Sequence, residues 1–273
     1  MATETTDDKL DACCLTEYRP LPGIPSGQMI KIADIDTYYI SGKDQTSKGK
    51  TIVLLTDIFG LTKNIRIIAD EVSEKSGFDV YVPDLLRGDA IHSSLMKNMP
   101  EESGEKMSIS ARLRYAGNLV TSLAPWLFRH RQSVSLPLVQ KFFQTLRSEK
   151  GVTKIEAVGY CFGGLYALLA GGPLHLADAI VGCHVSLTNK THFEQLEVPA
   201  AFACAQEDNQ FSDSLRAEAE QILARKSELP SKFLMTKGTA HGFASRPNPD
   251  NHVTMAAFKQ ANDLIAEWAK THL

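Results

Sequence analysis

Three side chains of this sequence have the types and spacing to carry out nucleophilic chemistry together. The first is Cys161, in the stretch IEAVGYCFGGLY at residues 155–166. Its surroundings, Gly159-Tyr160-Cys161-Phe162-Gly163, follow the nucleophile-elbow pattern G-x-S-x-G with cysteine in place of serine. A strand that turns at once into a helix crowds the residues two before and two after the nucleophile against neighbouring backbone. Glycine lacks the Cβ that would clash there. The nucleophile is then held in strained backbone, beside the free N–H groups and positive end of the new helix. Both favour a thiolate and a developing oxyanion. Packing in a core is the commonest fate of a free cysteine, but it leaves the flanking glycines unexplained.

The other two are an acid and a histidine in the order this arrangement uses. AAFACAQED puts Glu207 and Asp208 just past a β-rich run, and KFLMTKGTAHGF puts His241 just past the next one. Asp208 follows Cys161 by 47 residues and His241 follows Asp208 by 33, each about one strand–helix unit. His241 would take the thiol proton, and Asp208 would fix its tautomer and stabilise the imidazolium. Asp208 is favoured over its neighbour Glu207.

Alternating elements must bring these residues together. TIVLLT (51–56) is a continuous apolar run typical of a strand buried on both faces. DVYVPD (79–84), KIEAVG (154–159), AIVGCH (179–184), AAFACA (200–205) and KFLMT (232–236) read as further strands. Helices fit at 62–76, 137–149, 162–171, 212–228 and 252–271, and residues 88–136 give weaker signals that suggest a cap. Strand and helix in alternation predict an α/β fold, a mostly parallel central sheet with helices on both faces. Ligands of such sheets bind at the carboxyl ends of the strands. Residues 1–28, with prolines at 20, 22 and 25, read as an N-terminal arm, and 29–273 as one domain.

The composition sets bounds. The chain has 273 residues, 43% hydrophobic and 22% charged, with a net charge of −3. These are ordinary values for a globular protein with a full core. Basic residues are scattered, which excludes an advertised nucleic-acid or anionic-membrane partner. No apolar run approaches the roughly 18–20 residues of a membrane span. The polar, acidic start, MATETTDDKLDACC, has no basic or apolar region of a secretory signal. Five cysteines, at 13, 14, 161, 183 and 204, are an odd number, which suggests reduced thiols and a cytoplasmic location. No metal-ligand spacing is seen, and dinucleotide and phosphate-loop motifs are absent, so no cofactor is expected.

On G-Y-C-F-G-G (159–164), the Asp208 region, A-H-G-F-A (240–244) and LLTDIFGL (54–61), the chain resembles the dienelactone hydrolase family of α/β-hydrolases over roughly residues 30–271. The Cys13-Cys14 segment and the D-I-F-G-L wording look most like its fungal branch, which includes hydrolases encoded beside polyketide pathways. The resemblance implies a Cys161–Asp208–His241 triad. It implies an oxyanion hole from the backbone N–H groups of Phe162 and Ile58. It places Asp57 where family members carry a glutamate that contacts the resting thiol. Bacterial family members hold a substrate carboxylate with arginines, one shortly after the histidine. Arg246 lies five residues past His241, off the family's offset, and no second arginine among Arg87, Arg112, Arg114 and Arg129 is placed.

Other residues carry weaker expectations. His184 ends a strand on the catalytic edge, as a pocket residue or a satisfied loop histidine. Cys183 and Cys204 belong to the core. Trp126, Phe128 and His130 form a lid or a packed helix face. The expected function is cysteine-dependent hydrolysis of an activated ester or lactone. The alternatives are a hydrolase or thioesterase acting on polyketide intermediates in secondary metabolism, a non-catalytic binding protein of this fold, and a redox thiol protein. The expected partner is a small-molecule ester, lactone or thioester, with a homodimer left open.

Overall fold

The computed structural model describes residues 19–44, 47–92, 102–106, 108–110, 113, 117 and 119–273. Eight strands form one sheet in the order β1-β2-β4-β3-β5-β6-β7-β8. They are β1 (Gln28–Ile32), β2 (Ile35–Ile40), β3 (Lys50–Leu55), β4 (Asp79–Pro83), β5 (Lys154–Tyr160), β6 (Ala179–Cys183), β7 (Ala200–Glu207) and β8 (Ser231–Ala240). β1 and β2 pair antiparallel, as do β2 and β4. From β4 to β8 every neighbour is parallel.

Helices cover both faces. α1 (Lys63–Ser76) and α7 (His252–His272) pack on one side, over Ile52, Leu54, Val158 and Val181. On the other side lie α3 (Gln132–Glu149), α4 (Phe162–Ala170), the short α5 (Lys190–Glu194) and α6 (Asp213–Ala224), over Val53, Leu55, Ile155 and Ala157. The two inner rows alternate along β3 and β5, so each central strand is buried on both faces, as a parallel sheet requires. α2 (Ala124–Arg129) follows a π-helical turn at Leu119–Leu123 and leads into α3.

Three elements differ from the sequence reading. The β1–β2 hairpin was not expected. Its two-residue turn is Ala33-Asp34, at φ 53° and 62°, a type I′ pattern written without the Asn-Gly or Asp-Gly that usually signals it. α3 starts at Gln132 and carries Pro137 inside it, whereas proline is ordinarily a marker of a helix's first turn. α5 is too short to leave a period in the sequence, although Asn189 and His192 close a capping box around its start.

The described segment before β1 packs against the sheet's helical layer. Leu21 is buried in the layer under α1, its N–H donates to Asn64 Oδ1 at 2.7 Å, and the Asn64 amide donates to the Ser245 carbonyl at 3.4 Å. Cys13, Cys14, Arg112 and Arg114 lie outside the described residues.

Candidate active site

The register of the parallel strands sets the site. Leu55 is level with Gly159, Tyr160 with Cys183, and Glu207 with Ala240. The strands therefore end together, and the residues that follow them, Asp57 and Ile58, Cys161, His184, Asp208 and His241, meet on one edge of the sheet.

Cys161 sits between β5 and α4 at φ 49° and ψ −110°, backbone that a residue with a Cβ rarely adopts. Close approach explains the glycines beside it. A Cβ on Gly159 would come within 2.6 Å of Gly164 Cα, and one on Gly163 within 2.6 Å of the Leu55 carbonyl carbon. Backbone bonds pin the turn: the Cys161 N–H donates to the Cys183 carbonyl at 3.1 Å, and the Ser186 N–H donates to the Cys161 carbonyl at 3.0 Å. Phe162 opens α4, so its N–H is one of the first-turn donors that no helical carbonyl can reach. Its ring is buried between Trp126, at 5.1 Å, and Tyr166, at 5.2 Å.

His241 Nδ1 lies 2.9 and 2.8 Å from the two Asp208 oxygens. Asp208 Oδ1 also accepts the N–H groups of Gln210 and Phe211, at 2.8 and 3.1 Å, which fix the carboxylate. The neighbour Glu207 points to solvent and accepts from the Ser103 hydroxyl at 2.6 Å. His241 Nε2 is buried with no partner at hydrogen-bonding geometry among the described residues, yet it feels the Cys161 sulfur. Burial alone would lower the imidazole pKa. The charge of Cys161 and the bond to Asp208 overcome it and raise the value to about 10. A thiol, an imidazole and a carboxylate ordered this way can make a thiolate and deliver a proton to a leaving group.

The remaining expected residues have definite places. Asp57 is buried, and both of its oxygens are engaged. Oδ1 accepts the Phe59 N–H at 2.9 Å, while Oδ2 accepts the Ser245 hydroxyl at 2.9 Å and lies 3.6 Å from Arg246 Nε. Arg246 also lies over the Phe59 ring, 4.8 Å from its centre. Ile58 follows in the same loop, its carbonyl accepting the Ile91 N–H at 2.9 Å. His184 is buried at φ 38°, edge-on to His241 with ring centres 5.0 Å apart, and neither of its ring nitrogens has a hydrogen-bond partner among the described residues. Burial, then the nearby His241 and Arg246, push its pKa well down, so it is neutral.

In the cap-like stretch, Trp126 is buried and donates to the Asp89 carbonyl at 2.6 Å, and His130 Nε2 bonds the Asp89 carboxylate at 2.9 Å. Phe128 is exposed. Arg129 pairs with Asp89, and Arg87 lies on the surface. Cys183 and Cys204 are buried. Among the described residues, no group of three or more His, Cys, Asp or Glu side chains could hold a metal ion. No helix among them is long and apolar enough to cross a membrane.

Sequence reasoning missed Ser186. Its hydroxyl lies 3.5 Å from the Cys161 sulfur, and the residue is buried. The available signal was its place two residues beyond His184, past the end of β6 on the catalytic edge.

Comparison with known proteins agrees with this architecture. The chain is 29% identical over 265 residues to Hydrolase tropI of Talaromyces stipitatus, covering 96% of each chain. It is 25% identical over 266 residues to a protein named Dienlactone hydrolase 1 of Gibberella moniliformis, covering 94% of this chain and 92% of that one. The solved structure m3DLH superposes with a TM-score of 0.59 at 18% identity, over 90% of this chain and 99% of its own, a likeness of fold. The model of the dienelactone hydrolase family matches residues 35–273. With its eight-stranded sheet and these fungal relatives, the chain belongs to the dienelactone hydrolase family of α/β-hydrolases and is a hydrolase.

Proposed function

We propose that the protein hydrolyses an activated ester, lactone or thioester through an acyl intermediate on Cys161. The observation that carries this reading is the meeting of a strained Cys161 with a His241 whose far nitrogen is held by Asp208. Cys161 Sγ attacks the substrate carbonyl carbon, and the oxyanion accepts hydrogen bonds from the N–H groups of Phe162 and Ile58. The leaving oxygen or sulfur departs with a proton from His241. His241 then takes a proton from water, hydroxide adds to the thioester, and the sulfur leaves as the acid forms. A thiolate is itself a good leaving group, so attack on an unactivated alkyl ester tends to revert. An enol-lactone, aryl ester or thioester avoids this because its own leaving group departs at least as readily.

A second reading, a hydrolase or thioesterase of polyketide-derived esters in fungal secondary metabolism, is favoured by Arg246. Asp57 lies 3.6 Å from Arg246 Nε and balances its charge, and the guanidinium rests over the Phe59 ring, which fits a substrate with no carboxylate to be held. Two of the relatives are hydrolases of fungi. A nucleophilic thiol suits a reducing compartment, so the proposed location is cytoplasmic.

The test is p-nitrophenyl acetate hydrolysis by wild type, Cys161→Ala and His241→Ala, with intact mass measured after quenching. The expected result is turnover by wild type, an acyl adduct on Cys161, and background rates for both variants. Equal hydrolysis by Cys161→Ala would sink the covalent mechanism in favour of a non-catalytic binding protein. Peroxide consumption without ester hydrolysis would point to a redox thiol.

A further inference from the structure

We infer that Ser186 is a positioning residue for the nucleophile: its hydroxyl donates a hydrogen bond to the Cys161 sulfur and holds it as thiolate between turnovers. The inference rests on the reading of Cys161 as the attacking group. Three observations carry it. The Ser186 Oγ and Cys161 Sγ are 3.5 Å apart, and among the described residues no other group bonds that hydroxyl. Ser186 is only 5% exposed, so its hydroxyl needs a partner inside the protein. Its placement is also enforced. The Ser186 N–H bonds the Cys161 carbonyl, and the residues on either side of Val185-Ser186, His184 at φ 38° and Leu187 at φ 59°, both sit in left-handed backbone without being glycine. A loop that holds two such residues has little freedom to move the serine away.

The carboxylate that sequence comparison put beside the thiol is engaged elsewhere. Asp57 accepts from the Phe59 N–H and the Ser245 hydroxyl. A hydroxyl is a better neighbour for an anionic sulfur than a carboxylate, because it donates a charge-assisted bond and brings no like charge. No proton changes hands, and Ser186 keeps its hydrogen throughout. When the sulfur becomes part of a thioester it loses its charge, and the bond weakens. The serine therefore favours the free nucleophile and the departing thiolate over the acyl-enzyme.

The experiment compares wild type, Ser186→Ala and Ser186→Thr. Carbamidomethylation of Cys161 by iodoacetamide at neutral pH is followed by peptide mass, alongside ultraviolet thiolate absorbance and thermal melting. A weaker thiolate population is partly offset by higher intrinsic nucleophilicity, so Ser186→Ala should react about three- to tenfold more slowly. It should also lose thiolate absorbance with melting unchanged, and Ser186→Thr should restore both signals. No loss in Ser186→Ala, or equal loss in Ser186→Ala and Ser186→Thr, overturns the assignment. Failure of the acyl-enzyme reading is seen separately, as a missing acyl adduct in wild type. Carbamidomethylation reports on the sulfur whether or not any ester is cleaved.

Discussion

His241 depends on two neighbours for its charge, and they can be separated. Its pKa of about 10 comes from the Cys161 charge and the Asp208 bond acting against burial. Asp208→Asn should move the His241 imidazole titration, followed by NMR, downward from that value; an unmoved midpoint would remove Asp208 from the account. His241→Ala should lower kcat on an aryl ester roughly 10²- to 10⁴-fold, the range of a lost general acid–base group. Glu207→Gln should leave kcat near wild type, because Glu207 bonds Ser103 and faces solvent. The order and spacing of Cys161, Asp208 and His241 were legible in the sequence. The choice between Glu207 and Asp208 was not a matter of residue type. Glu207 and Asp208 lie just past a register shift between Ala205 and Glu207, and such irregularities leave no trace in a hydrophobic pattern. Ser186 was invisible for a related reason: nothing in HVSL says which side chain turns back toward the sulfur.

The elbow works as an element because α4 rides directly on the end of β3. Gly163→Ala would drive a Cβ into the Leu55 carbonyl carbon at 2.6 Å, against backbone that cannot swing aside. Urea unfolding should show a loss of about 1–3 kcal/mol, the usual cost of overpacking. Ester turnover should fall with it, since the same displacement moves the Phe162 N–H. The strands from β3 to β7 were readable because each carries a nearly unbroken apolar run, the mark of burial on both faces, while β8, at the sheet's edge, showed only its KFLM core. The β1–β2 hairpin lacks that mark. Its strands lie at the rim, half of their residues reach solvent, and the turn uses Ala33-Asp34 where glycine would have announced it. Pro137 misled in the opposite direction, since the helix tolerates it one turn inside its start.

Across the whole molecule, the layer beneath α1 and α7 contains polar atoms without partners among the described residues. They include both oxygens of Glu156, the Tyr160 hydroxyl and Asn262 Oδ1. Burial raises the Glu156 pKa well above the ordinary 4.5, so the folded protein keeps a proton there that the unfolded chain releases. The folded state therefore binds more protons than the unfolded one above about that ordinary value. The Glu156 contribution to stability is best below pH 4.5 and falls as pH rises toward the folded value. Glu156→Gln should melt higher than wild type at neutral pH, with the gain shrinking as pH drops to 4.5; a gain independent of pH would rule out ionisation as the cause. A different burden lies at the corner past β5 and β6, where Cys161, His184 and Leu187 all hold left-handed backbone. Each costs on the order of 1 kcal/mol that glycine would not, so Cys161→Gly should melt above Cys161→Ala. Backbone stability and the presence of a side chain therefore pull this corner in opposite directions. Glycine at any of the three positions would release that strain, but at Cys161 the sturdier chain would have no thiol.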